Sequence, residues 1–214
     1  MKRAVIATVF SSALLLGACS GPAAGEQLDG VLKNTFEAEK EYRETQGEME
    51  KLEKEEQELF ESIMSLTQEQ QEEVKGHAEE AIASAEERLE LLKAETASMD
   101  SAKENFKEID TVIAETEDEA VKSDLEALKA KMQERFEAHA VFAEAYETLN
   151  AQQQELYEML LDDEANLQEL QKKALAVNEQ NTAVQEAVEA FNTQTEEFNE
   201  LKNKTIETIE KSEQ

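Results

Sequence analysis

Few side chains in this 214-residue sequence are of a type that carries covalent or metal chemistry: one cysteine, Cys19, and two histidines, His77 and His139, stand against 51 acidic residues. A hydrolytic triad or a Cys-His pair needs a histidine held beside its nucleophile, and two histidines offer no such arrangement. A di-iron centre in a helical bundle needs Glu-x-x-His pairs projecting inward. The residues three before His77 and His139 are Val74 and Phe136, so neither pair is complete. His77 opens a His-x-x-Glu run, His77-Ala78-Glu79-Glu80, but one such triplet in a glutamate-rich segment is what chance supplies. No glycine-rich phosphate loop occurs. The expectation is a protein with no catalytic residues, no metal ligands and no bound cofactor, and so not an enzyme.

Cys19 differs because of where it stands. Lys2 and Arg3 precede an uncharged apolar run from Ala4 to Leu16. That run is short of the ~20 residues of a membrane span and has the length of a signal-peptide core. Leu16-Gly17-Ala18-Cys19 then resembles the lipobox of bacterial lipoproteins, in which the thiol is diacylglycerylated and a dedicated peptidase cuts before the cysteine. Small Gly17 and Ala18 leave the peptide bond open to that peptidase, and two acyl chains anchor stably where one holds only marginally. The expectation is a signal peptide over 1–18 and a mature chain beginning at Cys19, which bears covalent diacylglycerol and an N-acyl or other amino-terminal modification. A flexible tether through residue 25 follows, and a folded body over 26–214.

What the body must be follows from its punctuation. The last proline is Pro22, and after Gly30 the only glycines are Gly47 and Gly76, which leaves no material for the many turns of a mixed fold. Stepping by alternate fours and threes from Val121 meets Leu125, Leu128, Met132, Arg135, His139, Phe142, Tyr146, Leu149, Gln153, Leu156 and Leu160, a coiled-coil-like seam. His139 on this seam is expected to be a hydrogen-bonded core residue, near Arg135 or a facing glutamate. A second seam runs from Leu167 through Leu170, Ala174, Val177, Asn181, Val184, Val188, Phe191, Thr195 and Phe198 to Ile209. A third passes Ile82, Ala85, Leu89, Leu92, Thr96, Met99, Lys103 and Phe106, then slips one residue to Ile109 and Ile113. The first segment keeps one register through Leu28, Leu32, Thr35, Tyr42 and Met49 and shifts at Leu52.

Capping boxes at Thr67 with Gln70 and Thr116 with Glu119, and a cap at Asp162 or Asp163, place helices near 26–65, 68–114, 117–161 and 164–211. Four segments of matched length predict an all-α, elongated up-and-down bundle of antiparallel helices with coiled-coil-like packing, each ~60 to 70 Å long. The Ala-rich stretch from Ala78 to Ala85 permits close helix approach. Charged runs outside the seams, Glu48 to Glu58 among them, read as solvated faces.

Two features remain that point outward. Asparagines concentrate in the last segment, and Asn178, Asn192, Thr195 and Asn199 form either a polar strip for a glycan or peptide or a register-fixing layer like the buried asparagines of coiled coils. The formal net charge is -30, and loss of Lys2 and Arg3 with the signal peptide makes the mature chain more acidic still. Such a surface excludes nucleic-acid binding, which needs clustered Lys and Arg, and leaves lipid to hold the chain to the membrane. It also admits a second reading, an extracytoplasmic divalent-cation-binding or buffering protein.

With the lipobox and these segments in hand, the chain resembles the YkyA-type cell-wall-binding lipoproteins of Gram-positive bacteria. Besides Leu16 to Cys19, the resemblance rests on Arg135 to Tyr146, on Glu155-Leu156-Tyr157, and on Asn178, Phe191-Asn192, Thr195 and Asn199. It implies a four-helical bundle anchored to the outer face of the cytoplasmic membrane, with peptidoglycan or envelope proteins as partners. It brings no catalytic residues, and of the family's sites only the lipidated Cys19 carries over. Oligomeric state is not readable from the chain.

Overall fold

A computed structural model of the chain describes residues 23–162 and 164–213. Among them there is no strand. The elements are α1 (Ala24–Ala38), α2 (Lys40–Ser65), a 3-10 turn at Gln68–Gln70, α3 (Gln71–Phe106), α4 (Ile109–Glu115), α5 (Glu119–Leu160) and α6 (Leu167–Ser212). α1 and α2 together run away from the amino terminus, α3 and α4 return, α5 runs out again and α6 returns, so the expected up-and-down bundle is what forms. At ~1.5 Å per residue the longest helices span ~60 to 70 Å.

The break between α1 and α2 falls at Glu39, where neither proline nor glycine stands. Ser98 of α3 inserts its hydroxyl into the helical ladder: Oγ accepts from the Tyr42 N–H (3.1 Å) and donates to the Ala38 carbonyl (2.7 Å), the carbonyl that Tyr42 would otherwise bond. Insertion of a side chain into the i to i-4 ladder is a recognised cause of a helix kink. The break between α3 and α4 is a tightening. Lys107, Glu108 and Asp110 donate to carbonyls three residues back, at 3.2, 3.2 and 3.0 Å. This shifts the register and turns Ile109 and Val112 inward after Phe106. The slip visible in the sequence at Ile109 marks this point.

Caps divide less well. The Thr67 and Gln70 capping box forms as expected. Thr116 does not cap α5: its hydroxyl bonds the Val112 carbonyl at the end of α4, and Asp118 accepts from the Ala120 and Val121 N–H groups instead. α6 is capped by Asn166, not by Asp162, whose carboxylate accepts from the Glu164 N–H within the loop. Ala24 and Gly25, expected in the tether, are helical. The signal segment and Leu16, Gly17, Ala18 and Cys19 lie outside the described residues.

Three cores follow one another along the rod. Near the chain's amino-terminal end, Leu28, Val31 and Leu32 of α1 meet Met99 and Phe106 of α3, Ile109 and Val112 of α4, Val121 to Phe136 of α5, and Phe191, Phe198 and Ile209 of α6. The middle core joins Met49, Leu92, Phe142, Tyr146, Leu149, Val184 and Ala187. At the far end Ile63, Ala78, Ala81 and Tyr157 pack with Leu59, Phe60, Val74 and Leu160, and α6 contributes nothing. There α6 lies on α5 alone, with no buried residue from Leu167 to Ala183, and Leu167 and Leu175 are 67% and 64% exposed. All three cores lie within residues 28–209, so the body carries its own folding core.

Candidate functional site

Inside this apolar rod sit charged residues that periodicity alone would make core. α3 presents Ala78, Ala81, Ala85, Arg88, Leu92, Glu95, Met99, Ala102 and Phe106 inward, spaced by alternate threes and fours. The face is rotated from the expected one: Ala102 is buried and Lys103 exposed. Small alanines let α2 and α5 approach closely, and the two seam positions held by Arg88 and Glu95 are both nearly inaccessible.

Glu39, Arg88, Glu95 and Arg135 have partners on facing helices. At the α1–α2 break, Arg135 of α5 grips the Glu39 carboxylate with two hydrogen bonds, NH1 to Oε1 at 2.6 Å and NH2 to Oε2 at 3.0 Å, while its Nε donates to Thr195 of α6 at 3.0 Å. One turn on, His139 Nε2 lies 2.9 Å from Glu95 Oε1, and Gln46 donates to the other oxygen at 2.8 Å. Tyr42, Phe142 and Phe191 meet the imidazole edge to face at 5.5 to 5.8 Å. The sequence expectation for His139 is therefore met by Glu95. A buried pair of this kind costs desolvation, which close geometry and further hydrogen bonds must offset; the bidentate arginine geometry supplies both here.

A second layer surrounds Arg88. Its NH1 and NH2 reach Tyr146 Oη (3.4 Å) and Gln153 Oε1 (3.2 Å), and Tyr157 Oη donates to the Glu56 carboxylate. Burial pushes the Glu56 carboxyl above its ordinary range, against the opposing pull of the Tyr157 bond and the Arg88 charge. Burial likewise raises the Tyr157 phenol. Glu56 thus corrects the reading of its segment as a solvated face. The signal was present: Met49, Leu52, Glu56, Leu59 and Ile63 continue one three-four seam through it. Lys202 of α6 is a further buried charge, its ammonium held below the usual range by burial, with Asn199 Oδ1 at 3.1 Å; its signal too was in the spacing, since the seam steps from Phe198 through Lys202 and Thr205 to Ile209.

The asparagine series of α6 is divided. Thr195 is part of the Arg135 layer and also donates to the Phe191 carbonyl. Asn199 accepts from Lys202, Asn192 is half-buried, and Asn178 is exposed, its carbonyl accepting from Thr182. Asn178 and Asn199 stand ~30 Å apart along the helix at ~1.5 Å per residue. They do not converge on one patch.

His77 is half-buried and bonds Ser62 Oγ at 3.2 Å. Both line a half-open groove of about 570 Å³ between α2 and α3, which also includes Leu52, Leu59, Glu58 and Glu80. Among the described residues no three His, Cys, Asp or Glu side chains are grouped to hold a metal ion, and no helix is long and apolar enough to cross a membrane.

Fold and interior together define an elongated antiparallel helical body cross-linked by buried charge layers. The chain belongs to the YkyA family, described as "Putative cell-wall binding lipoprotein", which matches residues 23–208. It is 25% identical over 197 residues to an uncharacterized lipoprotein YkyA of Bacillus subtilis (strain 168), covering 92% of this chain and 88% of that one. Its fold is also that of a conserved protein of unknown function from Staphylococcus aureus solved at 1.6 Å. The TM-score is 0.72 at 14% identity, over 87% of this chain and 97% of the other.

Proposed function

We propose that this protein is a lipid-anchored, non-enzymatic rod on the outer face of the cytoplasmic membrane that binds the cell wall or holds an envelope partner at a distance from the bilayer. The observation that carries this reading is the family match from residue 23 onward together with the lone Cys19, which ends a lipobox-like run only five positions before α1 begins at Ala24. Two acyl chains at Cys19 would supply anchoring that so acidic a surface does not. A tether this short keeps the amino-terminal end of the bundle at the membrane and lets the opposite end reach ~60 Å outward. Of the asparagine series of α6, Asn178 alone is exposed and remains available to a partner in this reading.

Wall binding by a body of this charge requires an epitope that is neutral or cationic, since anionic wall polymers repel it. Co-sedimentation of residues 20–214 with purified peptidoglycan, with and without teichoic acid and at two salt concentrations, tests the point. Saturable pelleting that survives salt and teichoic-acid removal is the expected result; no pelleting under any condition overturns wall binding. Fractionation tests the anchor separately: Cys19→Ala is expected to abolish processing and release the protein from the membrane, and unchanged processing and membrane association would overturn it.

A further inference from the structure

We infer that the outward face of the leading half of α6 is the surface that meets the wall, and that it takes an uncharged, N-acetylated glycan strand; the inference rests on the wall-binding reading above and adds the site and the ligand class. Stepping from Gln168 by alternate threes and fours meets Gln171, Leu175, Asn178, Thr182 and Gln185, and all six are exposed. None is charged, in a chain of formal net charge -30. Toward the base the same strip continues with exposed Glu189 and Glu196 on either side of half-buried Asn192. The uncharged face is thus confined to the half of α6 that lies on α5 alone. Lys172 and Glu179 stand at its edge and offset one another.

Chemistry and charge select the occupant together. Apart from the helix ladder, the strip's hydrogen bonds among the described residues are Gln168 N–H to Asn166 Oδ1 and the Thr182 hydroxyl to the Asn178 carbonyl. The four side-chain amides therefore face solvent, each with two donors and an acceptor, the combination that sugar hydroxyls and N-acetyl groups pair with. The strip is ~25 Å long at ~1.5 Å per residue, room for several consecutive sugars. Anionic polymers and lipids are repelled by the body as a whole, and a cationic ligand finds no row of carboxylates here. A protein partner or a second copy would find Leu175 as the one large apolar side chain on the strip, too little for the apolar core of a protein interface. A glycan needs hydrogen bonds and one apolar contact beneath a sugar ring. The strip also lies in the half of the rod remote from the amino terminus, on the side away from the bilayer.

The test uses the body, residues 20–214, and teichoic-acid-free peptidoglycan, with soluble oligomers of N-acetylglucosamine as competitor. One variant carries Gln171→Ala, Asn178→Ala and Gln185→Ala; a second carries Asn34→Ala, Gln57→Ala and Gln133→Ala, which removes exposed amides from α1, α2 and α5 instead. The expected result is saturable pelleting that the oligomers compete away, weakened about tenfold or more by the strip variant and less than about twofold by the other. Equal pelleting of the strip variant, or pelleting that the oligomers leave unchanged, overturns the glycan site and leaves wall binding standing; failure of the wild type to pellet overturns both. In sedimentation equilibrium, a wild-type dimer that the strip variant loses would assign the face to a second copy and overturn the glycan site. Unchanged melting temperature shows that both variants remain folded.

Discussion

The two ends of the rod solve the same packing problem differently. At the amino-terminal end five helices close on one another, and Phe106, Phe136 and Phe198 interlock, their ring centroids 6.2 and 6.5 Å apart around Phe106. At the far end three helices close around Ala78, Ala81 and Tyr157, and α6 rides on the outside of α5. The difference lies in residue size and facing charge. Phe191, Phe198 and Ile209 give α6 something large to bury, whereas Leu170 and Ala174 remain half-buried and Val177, also half-buried, packs at the edge of the middle core. The base of the rod buries all the helices that reach it, and the tip leaves the leading half of α6 exposed on one side.

Between the ends the buried charges bridge facing helices, and removing one of them is expected to have the largest effect. Arg135→Ala strands a buried Glu39 carboxylate and should cost about 3 to 5 kcal/mol in chemical denaturation. Arg135→Met combined with Glu39→Leu should recover most of that loss, because neither charge is then left alone; failure to recover would mean that the pair contributes more than a satisfied contact.

The contrast of the two ends predicts unequal truncations. Phe198→Ala should destabilise by about 3 to 5 kcal/mol, while Leu175→Ser should stay within about 0.5 kcal/mol. Similar losses would remove the distinction. Ser98→Ala takes the bridge out of the α1–α2 break and leaves the Tyr42 N–H without it; the expected cost is about 1 to 3 kcal/mol.

The smallest effect is in pH. Glu56 holds its proton more tightly when folded than when unfolded, so its contribution to stability falls as pH rises from its ordinary value of 4.5 through the raised folded value. Relief of general acidic repulsion on acidification acts in the same direction. The comparison that isolates Glu56 is therefore the difference between wild type and Glu56→Gln: the variant should show a shallower loss of stability between pH 4.5 and 7, and parallel curves would contradict the assignment.

Much of this architecture was legible because aliphatic and aromatic residues mark it. The seam from Val121 to Leu156 is buried at every position read from its spacing, including Arg135, His139 and Gln153. α3 was read one position off at alternate sites because its inner face uses alanine, arginine and glutamate, residues that hydrophobicity does not distinguish from a solvated face. Glu56 was missed for the same reason. The leading half of α6 has a seam in its sequence but no facing helix in the fold, and no local pattern records the absence of a neighbour. The α2–α3 groove has no sequence signature either, since it depends on how the faces of two separate helices are set against each other. Cys19 was legible from its flanks alone.

Native-state hydrogen exchange along α6 tests the contrast between base and tip most directly, because one helix samples both. Amides from 199 to 209 should exchange near the rate set by global unfolding, and those from 167 to 180 at least about a hundredfold faster, through local opening. Uniform protection along α6, or stronger protection at its leading half, would contradict the account of a fixed base and an open tip.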